Sequence, residues 1–139
     1  MFGVSPFDLS PNNSSIPHQF PSTTPEEAIQ HWLDTLCLHN PEAVTNLYNH
    51  DGVLLGTLAD SIKYGRAEIR TYFDTFVQKE PCGVITSISS INYGNVAIVN
   101  GTYTFELDGG EKVLARFTFV LKKTLTGWLI NTHHSSIQP

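Results

Sequence analysis

Basic residues are scarce in this chain, and they come late. Eight Lys and Arg stand against thirteen Asp and Glu, a formal net charge of −5 over 139 residues, and the first of the eight is Lys63. That balance removes the electrostatic footprint of a nucleic-acid binder, so no nucleic-acid partner is expected. The acidic stretch ahead of Lys63 also disfavours an anionic membrane surface. Long apolar runs are missing as well: nowhere do about 18 apolar residues follow one another, and no membrane span is expected. The opening MFGVSPFDLSPNNSSIPHQFPS has neither the basic nor the apolar region of a secretory leader. Cysteine is nearly absent. Cys37 and Cys82 stand far apart with no CxxC spacing, so neither a disulfide framework nor a zinc knuckle is indicated. Both thiols are therefore expected to be reduced and structural, in a cytoplasmic protein. Gly-x-Ser-x-Gly, phosphate-loop and dinucleotide signatures do not occur, and there is no internal repeat.

What is present is enough apolar mass for one core, with 40% hydrophobic and 11% aromatic residues. Pro6, Pro11, Pro17, Pro21 and Pro25 crowd the start among Ser and Asn, which marks residues 1–22 as an extended arm and residues 23–139 as the domain. Phe2, Phe7 and Phe20 could pin that arm to the body or to a neighbour. Thr24-Pro25-Glu26-Glu27 has the form of a capped helix start, and Ala28, Ile29, Trp32, Leu33 and Leu36 follow at helical spacing. Asn40-Pro41 opens a second, shorter helix carrying Val44, Leu47 and Tyr48. Asp51-Gly52 then breaks the chain before a first strand, Val53 to Leu58. A third helix follows Tyr64-Gly65, with Ile69, Tyr72, Phe73, Phe76 and Val77 on its apolar side. Four strands end the chain, Val84 to Tyr93, Val96 to Leu107, Lys112 to Lys123 and Trp128 to Ser136, joined by short Gly-containing turns that make them antiparallel neighbours. The expected class is α+β, three helices packed on a strongly curved antiparallel sheet. Such a cone has a mouth, and the concave part that the helices leave unfilled is the natural pocket.

The last strand turns polar where its neighbours stay apolar. By alternation His133 and Ser135 face one side and His134 and Ser136 the other, so one pair should see the pocket. The same alternation argues against a metal, because adjacent strand histidines diverge and no three ligands converge. Arg116, between apolar neighbours in a mid-sheet strand, either pairs with a carboxylate such as Glu106 or binds an anionic ligand. Thr57 and Tyr72 are further neutral donors that could point at the cavity, and Tyr103 lies on a strand beside it.

Leu47-Tyr48, Asp51-Gly52-Val53-Leu54-Leu55-Gly56-Thr57-Leu58, Ile69 to Asp74, Asn100 to Phe105, Arg116 to Val120 and the ending with His133-His134-Ser135-Ser136 together resemble the NTF2-like superfamily. More narrowly they resemble the association-domain group named after the hub of calcium/calmodulin-dependent kinase II. The His-His-Ser-Ser ending is similar to that of iota-class carbonic anhydrases. The resemblance implies an NTF2-like cone and reversible hydration of carbon dioxide to bicarbonate, with no cofactor and no metal. It implies catalytic roles for Thr57, Tyr72, His133 or His134, and Ser135 or Ser136. Tyr103 and Arg116 join Thr57, Tyr72 and Ser135 as the expected substrate-binding set. A homodimer or higher homo-oligomer is the expected assembly. Two other readings are carried beside this one: a kinase-hub-like assembly module without catalysis, and an isomerase or binding protein for another small molecule.

Overall fold

The structure, a computed structural model, describes residues 24–139. The expected arm, with its three phenylalanines, lies outside the described residues. Helix α1 (Pro25–Leu36) starts as its sequence requires: Thr24 Oγ1 accepts from the Glu27 amide at 3.1 Å, and Glu27 Oε1 accepts from the Thr24 amide at 3.1 Å. Helix α2 (Pro41–Thr45) is capped by Asn40, whose side chain accepts from the amides of Glu42 and Ala43. Then come β1 (Tyr48–Leu55), the two-residue β2 (Lys63–Tyr64), α3 (Gly65–Phe76), β3 (Cys82–Asn92), β4 (Val96–Glu106), β5 (Lys112–Thr124) and β6 (Gly127–Ile137). The strands form one sheet in the order β2-β1-β6-β5-β4-β3. This is the expected α+β architecture, with helices on one face of a curved sheet.

Two details depart from expectation. Tyr48 is not helical: α2 stops at Thr45, and the Ile130 amide donates to the Leu47 carbonyl at 2.9 Å, which draws Leu47 and Tyr48 out beside β6. Nor is the sheet antiparallel throughout, because β1 and β6 pair in parallel, with Leu54 opposite His133. Sequence turns reveal hairpins, and this pair is separated by most of the fold.

The inward face of the sheet and the apolar faces of α1 and α3 make the core, in which Ile29, Leu33, Ile69, Phe73, Val99 and Phe119 are buried. Irregular register between Ile85 and Ser87 in β3, and between Val120 and Leu121 against β6, interrupts two ladders, and such bulges bend a sheet. Gly101 permits the first of them, since a Cβ there would come within 2.2 Å of the Ser87 carbonyl oxygen and 2.6 Å of the Phe117 ring.

The cysteines also differ from the expectation of free thiols: Cys37, just past α1, is joined to Cys82 at the start of β3, with Cα atoms 4.6 Å apart. Their sequence separation concealed a spatial one. The His39 ring Nε2–H donates to the Pro81 carbonyl at 2.9 Å beside the bridge, so the turn after α1 and the start of β3 are pinned twice. Closing a loop of this length is worth about 2–4 kcal/mol. Full reduction is accordingly expected to lower the thermal midpoint by roughly 10 °C, read by circular dichroism with and without a phosphine reductant. An unchanged midpoint would mean the bond is not formed in solution.

Candidate functional site

Between α1, α3 and the inner face of the sheet lies a cavity of about 500 Å³. Phe73, Phe76 and Phe105 are among its walls, and Asp60, Lys63, Lys79 and Glu111 line it toward solvent. Phe119 does not line the cavity but lies behind it, stacked on the His133 ring with centroids 3.8 Å apart.

The register of β6, which sets His133 beside buried Leu54 and Phe119, decides which histidine faces inward. His133 and Ser135 line the cavity and are buried, at 2% and 7% exposure. His134 and Ser136 lie on the outer face, and Arg116 goes with them, donating from Nε and Nη2 to Ser136 Oγ at 3.3 and 3.2 Å. Of the expected site residues, then, His134, Ser136 and Arg116 do not reach the cavity. Arg116 meets neither Glu106 nor an inward anion, because its strand neighbours Ala115 and Phe117 hold the buried positions and leave it outside. Glu106 sits opposite Lys112 in the β4–β5 register.

The inward residues are connected. Trp32 Nε1–H donates to Tyr48 Oη at 3.1 Å, and Tyr48 Oη lies 2.8 Å from His133 Nδ1. On the other side of the ring, His133 Nε2 is 3.2 Å from Tyr103 Oη. Tyr103 donates to Ser135 Oγ at 2.6 Å, and Ser135 Oγ lies 2.6 Å from Thr57 Oγ1. Thr57 stands two residues past β1, in the turn closed by the Ala59 amide donating to the Gly56 carbonyl. Tyr72 lines the cavity outside this series, with its hydroxyl on the Thr57 carbonyl at 3.2 Å. Gly56 makes room for that ring: a Cβ at Gly56 would fall 2.3 Å from Tyr72 Cε1.

Burial sets the protonation of these groups. Desolvation, with a smaller repulsion from His134, lowers the His133 pKa to about 3, so the ring is neutral across the physiological range. Desolvation raises the tyrosines: Tyr72 to about 12, and Tyr48 and Tyr103 well above their ordinary value. Every member of the series is uncharged. An imidazole acting as general base near its usual pKa is therefore not available here, contrary to what the residue type suggests.

Trp32 and Tyr48 escaped sequence reasoning. Both fitted the apolar periodicity of helices, and nothing in spacing signals that an indole N–H and a phenol will meet. Among the described residues, no three His, Cys, Asp or Glu side chains come together as metal ligands.

A family model for the calcium/calmodulin dependent protein kinase II association domain matches residues 26–139. A crystal structure from Xanthomonas campestris, named for that same association domain, is 36% identical with a TM-score of 0.77, covering 89% of this chain and 99% of that one. A Streptomyces avermitilis protein named for a dehydratase of the NTF2-like family is 17% identical, with a TM-score of 0.74 over 82% of this chain and 93% of its own. A ketosteroid isomerase-like protein from Erwinia carotovora is 18% identical, with a TM-score of 0.67 over 82% and 94%. The last two share the fold. No curated protein matches.

Proposed function

The chain belongs to the calcium/calmodulin dependent protein kinase II association domain family, and from the geometry of its cavity we propose that it hydrates carbon dioxide reversibly to bicarbonate there without a resident metal. The observation that carries the reading is the Ser135–Thr57 hydroxyl pair in the wall of a cavity that Phe73, Phe76 and Phe105 also line. Ser135 already accepts from Tyr103, and the 2.6 Å contact between Ser135 and Thr57 uses the hydrogen of one of them. The other hydroxyl hydrogen is left for a ligand oxygen.

The chemistry follows from that donor. Carbon dioxide enters an apolar site with little desolvation cost. Water attacks carbon, a C–O bond forms, and one C=O π pair moves onto the oxygen that the hydroxyl pair holds. The proton of the attacking water passes to a buffer base at the open side of the cavity, because His133 stays neutral. Bicarbonate then leaves toward Lys63 and Lys79.

The test is stopped-flow carbon dioxide hydration by the purified protein after exhaustive chelation. Catalysis above a no-enzyme blank is expected, increasing with buffer concentration, and Thr57→Ala should lower it about tenfold. Rates equal to the blank for every form would end the reading. Activity restored only by zinc or manganese would retain the reaction and overturn its metal-free course.

Self-association is proposed alongside it, on a separate observation. The outer face of the sheet exposes Val84 at 62% and Leu114 at 49%, set among hydroxyls, including Thr102 and Thr118, with Arg116 in their midst. An exposed patch of apolar and hydroxyl side chains around a single guanidinium suits a second copy of the chain. Leu114→Asp is expected to convert a dimer or larger species to monomer in sedimentation without altering its circular dichroism. A monomeric wild type would dispose of the idea.

A further inference from the structure

We infer that Trp32 is a positioning residue: it fixes which nitrogen of His133 carries the proton, and thereby the direction of hydrogen donation as far as Ser135 and whether the Ser135–Thr57 pair keeps a hydrogen for a ligand. The inference deepens the reading of the hydroxyl pair as the reacting site and rests on it for its catalytic meaning.

An indole has a hydrogen to give and no lone pair to receive one. Trp32 Nε1 therefore donates to Tyr48 Oη, which leaves the Tyr48 hydrogen to be placed elsewhere. Tyr48 is fully buried, and among the described residues the other recorded partner of its hydroxyl is His133 Nδ1 at 2.8 Å. If Nδ1 carried a proton, Tyr48 Oη would accept twice and its own hydrogen would be stranded in the core. Tyr48 must donate, and Nδ1 must be bare.

A neutral imidazole with a bare Nδ1 carries its hydrogen on Nε2. That hydrogen goes to Tyr103 Oη at 3.2 Å, and the Tyr103 hydrogen is then free for Ser135 Oγ at 2.6 Å. Donation runs one way, from the indole outward. The opposite tautomer would reverse it: Nε2 would take the Tyr103 hydrogen, Ser135 would turn its own onto Tyr103, and Thr57 would turn onto Ser135. No hydrogen would remain for a ligand, and the pair would face the cavity as acceptors. Trp32, which itself lines the cavity wall, thus decides whether the site receives the negative oxygen of bicarbonate or repels it.

The test needs no substrate, so its outcome is independent of whether carbon dioxide is hydrated. Histidine-labelled full-length protein is recorded by long-range ¹H–¹⁵N correlation at neutral pH. His133 is expected as the Nε2–H form, with an unprotonated, hydrogen-bonded Nδ1. Replacing Trp32 with benzothienylalanine puts sulfur where the N–H stands and keeps the bicyclic shape. In that protein a population of at least several tenths is expected to carry the proton on Nδ1. Trp32→Phe should move the same signals in the same direction. An Nδ1–H form in the wild type would overturn the inference, as would an unchanged tautomer in a benzothienylalanine protein that keeps the wild-type near-ultraviolet circular dichroism.

Discussion

Between pH 7 and pH 4 the folded chain is expected to lose about 3 kcal/mol of stability through His133 alone. The cause is desolvation. Buried among Trp32, Phe119 and two tyrosines, the ring resists protonation until about pH 3, whereas in the unfolded chain it takes a proton near its ordinary value of about 6.5. A histidine with a lowered native pKa makes the unfolded state bind more protons, so its stabilisation is complete above about pH 6.5 and drains away as the pH falls toward 3. Urea unfolding at a series of pH values, for the wild type and His133→Gln, separates this from the titration of carboxylates shared by both proteins. The difference between the two unfolding free energies should be flat above neutrality and shrink by about 1.4 kcal/mol per pH unit between pH 6 and 4. Parallel curves would mean that His133 is charged or hydrated in the native chain.

Ser135→Ala is expected to lower kcat/KM for carbon dioxide hydration by about 10²- to 10³-fold, or roughly 3–4 kcal/mol of transition-state stabilisation. Ser135 does two things that Thr57 cannot do alone. It receives the Tyr103 hydrogen, and it shares its own hydroxyl with Thr57 at 2.6 Å. Deleting Oγ leaves the buried Tyr103 hydroxyl without that acceptor and dissolves the pair proposed to hold the developing negative oxygen. The loss should fall on kcat more than on KM, because the charge held is absent from carbon dioxide itself. Some stability goes too, about 1–3 kcal/mol for the stranded phenol, so folding is checked by thermal melts. A Ser135→Ala protein that is folded and within twofold of wild type would remove the hydroxyl pair from the mechanism.

Where information is local, the sequence was readable. Thr24 and Glu27 announced the capping box, Asn40-Pro41 announced α2, and the Gly-containing turns laid out β3 to β6. Alternation alone put His133 with Ser135, although it left open which pair faced inward until Leu54 and Phe119 were seen beside His133. What stayed hidden depends on partners distant in the chain. Tyr48 reads as helical until Ile130 pairs with its neighbour Leu47, and a parallel ladder leaves no turn to recognise. Cys37 and Cys82 carry no spacing signal, so their bond emerges from how α1 is laid across β3. Arg116 looked interior because its neighbours are apolar, but a strand buries every second residue, and Arg116 falls on the other beat. Most telling is the imidazole: residue type suggests a base, while its surroundings make it a neutral relay.

β6 comes last among the strands yet lies between β1 and β5. It therefore completes the middle of the sheet and delivers His133 and Ser135 in the same event. On a ribosome, α1 through β5 would emerge without the element that bridges β1 to the rest, leaving two raw edges facing each other across a gap. Closure of that gap and the birth of the pocket are one step, so nascent chains halted before His133 should be held by chaperones as open sheets and gain protease resistance only once the final strand clears the exit tunnel.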